Sequence, residues 1–148
     1  MSWRESEIDA VARMRALAAG VRGAVLLETV LDASIDAVWR IAGDLEHGAP
    51  KLEAGVRSIE ILARDGERLD VVSHGMLGIA VRFDVVLRPG WCVMHSARAS
   101  IGMAAVAIDE TRTRFAHFEA VPMLGPLAPL VLRPKIRGDF RRLRALCA

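Results

Sequence analysis

Between residues 56 and 121 apolar and polar residues alternate with a period of two, and short turn signals cut the run into six pieces. The candidate strands cover 56–63, 67–74, 77–88, 91–98, 101–109 and 112–121. They are separated by Asp65-Gly66, Pro89-Gly90, an Ala-Ser step and Asp109-Glu110. Joints this short permit only antiparallel neighbours, because a parallel pair needs a long crossover. The pattern predicts a six-strand antiparallel meander.

What flanks the meander is helical. Residues 5–19 place Ile8, Val11, Met14 or Ala12, and Ala18 at helical spacing, with Glu5, Glu7 and Asp9 near the start, and Gly20 closes the segment. Residues 24–31 are short, branched and apolar, which reads as a further strand. Ser34 is a natural N-cap for a helix carrying Ile35, Val38 and Trp39, which stops at Gly43. A second short helical or turn segment follows Pro50 and ends at Gly55. Residues 122–134 form a proline-bearing connector that already turns helical. From Lys135 onward Ile136, Phe140, Leu143 and Cys147 recur at helical spacing. The order is helix, strand, two short helices, six strands, long helix, an α+β chain of one domain over 1–148, with 1–22 an additional helix before a core of 24–147.

Composition narrows the function classes. Apolar residues make up 53% of the chain and charged residues 26%, so it folds, and the apolar surplus fits either a lined cavity or an alanine-rich tight core. A net charge of +2 does not suggest a nucleic-acid partner. Residues 126–148 hold six basic groups and one acidic, a local +5, and 18 of the 20 basic residues are arginine, a bias that fits a GC-rich bacterial genome. Cys92 and Cys147 form no CxxC and pair with no ligand cluster, which suggests reduced thiols, a cytoplasmic location and no zinc site. No signal-peptide pattern and no apolar run of membrane-spanning length is present. Neither GxSxG nor a phosphate-binding glycine loop occurs, so covalent catalysis is not expected, and no cofactor is implied.

The stretch Leu31-Asp32-Ala33-Ser34-Ile35-Asp36-Ala37-Val38-Trp39, followed by Gly43-Asp44-Leu45-Glu46, resembles the strand-to-helix passage of the START-like, helix-grip (SRPBCC) superfamily. Its polyketide cyclase/dehydrase-like members are the most similar. Val56–Leu62, Val81–Val85, Thr111–Phe115 and Leu124–Leu127 resemble later segments of that family, so the likeness covers about residues 24–147. Asp32-Ala33-Ser34 departs from the family's usual Pro-Ala, and the leading helix lies outside its pattern. The resemblance implies a curved antiparallel sheet of about seven strands gripping the C-terminal helix. It also implies an internal cavity between them for a lipid, isoprenoid or aromatic polyketide-like molecule.

Alternation assigns faces to the strands. Arg82, Asp84 and Arg88 point outward, which turns Val81, Phe83, Val85 and Leu87 inward. Arg98 sets the next strand, placing Trp91, Val93, His95 and Ala97 inside. Arg112 and Arg114 set the last, placing Thr113, Phe115, His117, Glu119 and Val121 inside. With Phe140 of the last helix, the expected cavity lining is Phe83, Val85, Trp91, His95, Phe115, His117, Glu119 and Phe140, mostly apolar with few polar groups, as ligand sites are. His117 and Glu119 lie two apart on one face and form a candidate acid/base pair. A bulge could instead swing Phe118 inward and turn both into solvent. His74, His95 and His117 fall on three strands, but the first two strands are not neighbours, so no metal site is expected.

Three functions fit. The first is a non-enzymatic binder of a hydrophobic small molecule. The second is a cyclase or dehydratase acting through His117 and Glu119. The third is an interaction protein whose basic helix 135–147 meets an anionic membrane surface or acidic partner, although solvated arginines explain that charge more simply. The additional N-terminal helix could cover a sheet edge, cap the cavity or enter a homodimer.

Overall fold

In a computed structural model, residues 8–148 are described. The element order is α1 (Ala10–Ala19), β1 (Val25–Leu31), α2 (Ile35–Ala42), α3 (Ala49–Leu52), β2 (Val56–Asp65), β3 (Arg68–Gly75), β4 (Ala80–Arg88), β5 (Trp91–His95), β6 (Ser100–Ala107), β7 (Thr113–Ala120) and α4 (Ala128–Cys147). Short 3₁₀ turns at Met76–Gly78 and Pro122–Leu127 precede β4 and α4. Seven antiparallel strands run in the spatial order β1-β7-β6-β5-β4-β3-β2. The meander is thus as the alternation predicts, and β1 closes its far edge by pairing with β7. α4 lies against the concave face, which is the helix-grip arrangement. Among the described residues no helix is long and apolar enough to cross a membrane.

Local chemistry sets the boundaries. Ser34 Oγ accepts the Ala37 N–H at 3.1 Å and starts α2, as its side chain suggests. Asp9 caps α1 in the same way, accepting the Ala12 N–H at 2.8 Å, so that helix starts later than residue 5; residues 5–7 lie outside the described residues. Glycines with positive φ form the β2–β3 and β4–β5 turns, at Gly66 (60°) and Gly90 (74°). The last helix begins at Ala128 rather than Lys135, with Pro134 inside it.

Two cores share the sheet. The larger lies between its concave face and α2, α3 and α4, where Phe115 and Phe140 meet edge to face with centroids 5.9 Å apart, among Met94, Met103, Ile136 and Leu143. The smaller lies on the convex face, where Val11, Met14 and Ala18 of α1 cover Ala104, Ala116 and Phe118. Strand β7 is therefore buried on both sides, and its register with β1 and β6 is continuous. Without a bulge, Phe118 keeps to the convex face while His117 and Glu119 stay on the concave one. The N-terminal helix thus covers a sheet face, not an edge or the cavity.

Strand β5 corrects the sequence reading. Cys92 and Met94 are the inward residues, while Trp91 and Val93 pack toward α1 and His95 is exposed. Arg98, which fixed the expected parity, is not in the strand. β5 ends at His95, and Ser96 Oγ accepts the N–H groups of Arg98 and Ala99 at 3.2 and 3.0 Å in a turn.

Candidate functional site

The inward positions of β7 deliver His117 and Glu119 to the sheet–helix interface. Glu53, just after α3, and Lys135, Asp139 and Arg142 from α4 meet them there. His117, Glu119, Glu53 and Asp139 are 0%, 4%, 7% and 1% exposed. Four ionisable groups buried this deeply require mutual compensation, since an unpaired buried charge costs several kcal/mol.

Lys135 supplies much of that compensation. Its Nζ donates to Glu119 Oε1 at 2.8 Å and Asp139 Oδ2 at 3.1 Å, and lies 3.7 Å from Glu53 Oε2. Asp139 Oδ1 accepts from Arg142 and from the Ala54 N–H at 3.3 Å, while Arg142 Nε donates to the Leu52 carbonyl at 2.7 Å. α4 is thereby bound to the α3–β2 junction.

His117 is treated differently. Its Nδ1 lies 3.0 Å from the Gly102 carbonyl, and since a carbonyl only accepts, Nδ1 carries the shared proton. Nε2 faces three carboxylates: Asp139 Oδ2 at 3.4 Å, Glu53 Oε1 at 3.5 Å and Glu119 Oε2 at 3.9 Å. All three exceed a normal hydrogen bond, and His117 Nε2 and Glu119 Oε2 are both buried without a partner.

The electrostatics follow from these surroundings. Burial lifts the Glu53 carboxyl above its ordinary range, and the charges of Lys135 and His117 only partly reverse this. Burial would do the same to Asp139, but His117 and Lys135 outweigh it and hold that carboxyl low. For His117, burial disfavours the cation, yet the neighbouring carboxylates prevail and raise its pKa. Lys135 is raised against burial by Glu53, Glu119 and Asp139. Two carboxyls in one site are pushed in opposite directions, a division that proton-transfer chemistry uses. Cys92, by contrast, is pushed up to about 12, mainly by burial, which makes it a poor nucleophile.

Beside this cluster lies an open cleft of about 310 Å³. Its lining combines the charged Glu53, Glu119 and Lys135 with the apolar Val56, Ile79, Val81, Phe83 and Ile101. Of the residues the sequence nominates, Phe83 and Glu119 border this space. Val85, Phe115 and Phe140 are packed into the larger core, and His117 is buried beside Glu53 and Glu119. Trp91 and His95 lie on the opposite face, as β5 requires, so the three strand histidines do not meet: His74 and His95 are exposed. Sequence reasoning missed Glu53, Lys135, Asp139 and Arg142. Asp139 did leave a signal, falling on the buried stripe Leu132, Ile136, Leu143 of α4 with Lys135 four residues before it. Glu53 left none, since it follows an element of four residues.

No protein-family model matches the sequence, and neither does any curated protein sequence. Solved structures do. A START superfamily protein from Mycobacterium smegmatis is 16% identical, with a TM-score of 0.62 over 82% of this chain and 94% of that one. The Zhui aromatase/cyclase from Streptomyces sp. R1128 is 15% identical, with a TM-score of 0.59 over 84% and 90%. Truncated norcoclaurine synthase from Thalictrum flavum is 13% identical, with a TM-score of 0.57 over 83% and 91%. At such identities the likeness speaks for the fold alone, and that fold is START-like and polyketide cyclase-like.

Proposed function

We propose that the chain uses its START-like fold to bind a hydrophobic small molecule of lipid, isoprenoid or aromatic polyketide-like kind in the cleft beside α4. The apolar body would rest on Val81, Phe83 and Ile101, and a polar end would meet Lys135 and Glu119. The observation that carries this reading is the cleft's mixed lining, the apolar Val56, Ile79, Val81, Phe83 and Ile101 together with the charged Glu53, Glu119 and Lys135, at a volume within the range of small-molecule sites. Met76, 65% exposed, adds to its apolar lining. Val85, Phe115 and Phe140 pack into the larger core, so the reading places the ligand at the open end of the interface.

Native mass spectrometry of the purified protein should reveal a co-purifying apolar molecule, and fluorescence titration with an apolar probe should saturate. Val81→Arg places a charge in the apolar lining without touching the cluster, and is expected to weaken probe binding by at least about tenfold. Unchanged binding in Val81→Arg would exclude this cleft.

A second reading rests on Glu119. Its side chain borders the cleft, and its buried, unpartnered Oε2 lies 3.9 Å from His117 Nε2, a pair through which a proton-transferring cyclase or dehydratase would work. In that case Glu119→Gln should retain probe binding but lose turnover of a polyketide-like substrate by about a hundredfold. Full turnover by Glu119→Gln would remove it from the chemistry.

A further inference from the structure

We propose that His117, Glu53, Glu119 and Asp139 form a binding site for one divalent first-row transition-metal ion. The donor atoms, one imidazole nitrogen and three carboxylate oxygens, lie within 4.8 Å of one another. Ligands held about 2.0–2.2 Å from a common ion sit roughly 3–3.6 Å apart in octahedral or tetrahedral shells. Asp139 Oδ2 and Glu53 Oε1, at 3.4 and 3.5 Å from His117 Nε2, fall in that interval. Glu119 Oε2, at 3.9 Å, and the widest donor separations, up to 4.8 Å, would have to draw in around the ion. The 3.4 and 3.5 Å spacings are longer than the usual hydrogen bond and suit atoms that share an ion.

Two further observations point to a ligand and not to self-paired charges. His117 Nε2 and Glu119 Oε2 are both buried without a hydrogen-bond partner, and both belong to the set of donor atoms gathered within 4.8 Å. His117 Nδ1 donates to the Gly102 carbonyl at 3.0 Å, the outer contact that orients a metal-binding imidazole and leaves Nε2 as the donor. Imidazole with carboxylates suits Zn²⁺, Mn²⁺, Fe²⁺ or Co²⁺, and the lack of a thiolate among the four donors argues against Cu⁺.

Lys135 competes for the same oxygens. Its ammonium holds Glu119 Oε1 and Asp139 Oδ2, but it reaches neither Glu119 Oε2 nor His117 Nε2. With its side chain one-quarter exposed at the cleft, it can withdraw toward solvent when an ion enters. Removing the ammonium should therefore strengthen metal binding, whereas a purely structural ion-pair network would simply be weakened.

Calorimetric and absorption titrations of the metal-stripped chain with Co²⁺ and Zn²⁺ test this. The expected result is one equivalent bound, a raised Tm, and cobalt bands of a nitrogen–oxygen shell without thiolate charge transfer. Glu53→Gln and His117→Ala should each weaken binding by about a hundredfold, Lys135→Met should tighten it about tenfold, and His47→Ala on the surface should leave it unchanged. The proposal is overturned if folded wild type and folded Lys135→Met both fail to bind a stoichiometric ion. It is overturned equally if Glu53→Gln binds with wild-type affinity. Neither result depends on whether an apolar molecule occupies the cleft.

Discussion

In the β6–β7 turn Asp109 is fully charged and exposed, and its carboxylate accepts the Thr111 N–H at 2.9 Å while pairing with Arg112. Those donors hold its pKa at about 2, below an ordinary 3.8. Glu53 is the same kind of group in the opposite setting, raised because water has been taken away. For Asp109 the folded-state value is depressed, so its contribution to stability is present above pH 3.8 and is lost as the pH falls through about 2. Asp109→Asn should consequently lower the Tm slightly at neutral pH, with the difference from wild type vanishing near pH 2. The effect is small because the pair is solvent-screened. Thermal melts of both proteins across that interval measure it, and a difference that persists at pH 2 would assign the effect to the turn's hydrogen bonds rather than to charge.

At the scale of elements, α1 is the addition to the fold, and its seat is built from small residues. Gly102, Ala104 and Ala116 leave a shallow surface into which Met14 sinks, and a Cβ on Gly102 would collide with the Phe118 ring and crowd Met14 Sδ. Met14→Ala is expected to cost about 2 kcal/mol, the low end for a buried methionine, because this core is small. It should leave probe binding at the cleft intact, since α1 lies on the other side of the sheet. Chemical denaturation and the fluorescence titration together check both halves. Element structure was legible where periodicity and turn chemistry coincide, as in the strands between Val56 and Ala120. It failed in β5, where a single arginine set the parity and proved to lie in a turn. Nor could alternation place β1 beside β7, because that pairing joins strands far apart in sequence. His117 and Glu119 were legible because they share a face with Thr113 and Phe115, whereas Glu53 and Asp139 join them only through tertiary packing of α3 and α4 on the sheet.

Across the whole molecule the charged cluster stands where the packed half of the sheet–helix sandwich gives way to the open half. Leu132, Ile136, Phe140 and Leu143 hold α4 down by apolar contact, with Lys135 to Glu119 and Arg144 to Thr29 as polar ties to the sheet. At the α3–β2 junction, where Ala49 and Leu52 enter the same core, Arg142 to the Leu52 carbonyl and Asp139 to the Ala54 N–H add polar ties. Asp139 is the centre of that junction, because Lys135, Arg142 and His117 all bear on its two oxygens. Asp139→Asn keeps the shape but leaves three basic groups facing too little negative charge. Breaking a buried ionic network in this way costs roughly 3 kcal/mol, or about 10 °C in Tm for a chain of this size. The loss should also be local. Hydrogen exchange should quicken at Ala54 and along the last two turns of α4, while amides of β6 and β7 beneath α1 keep their protection, because the convex core that covers them contains no residue of α4. If exchange instead accelerated uniformly, the cluster would be a general stabiliser of the fold and not the clasp that sets the width of the cleft.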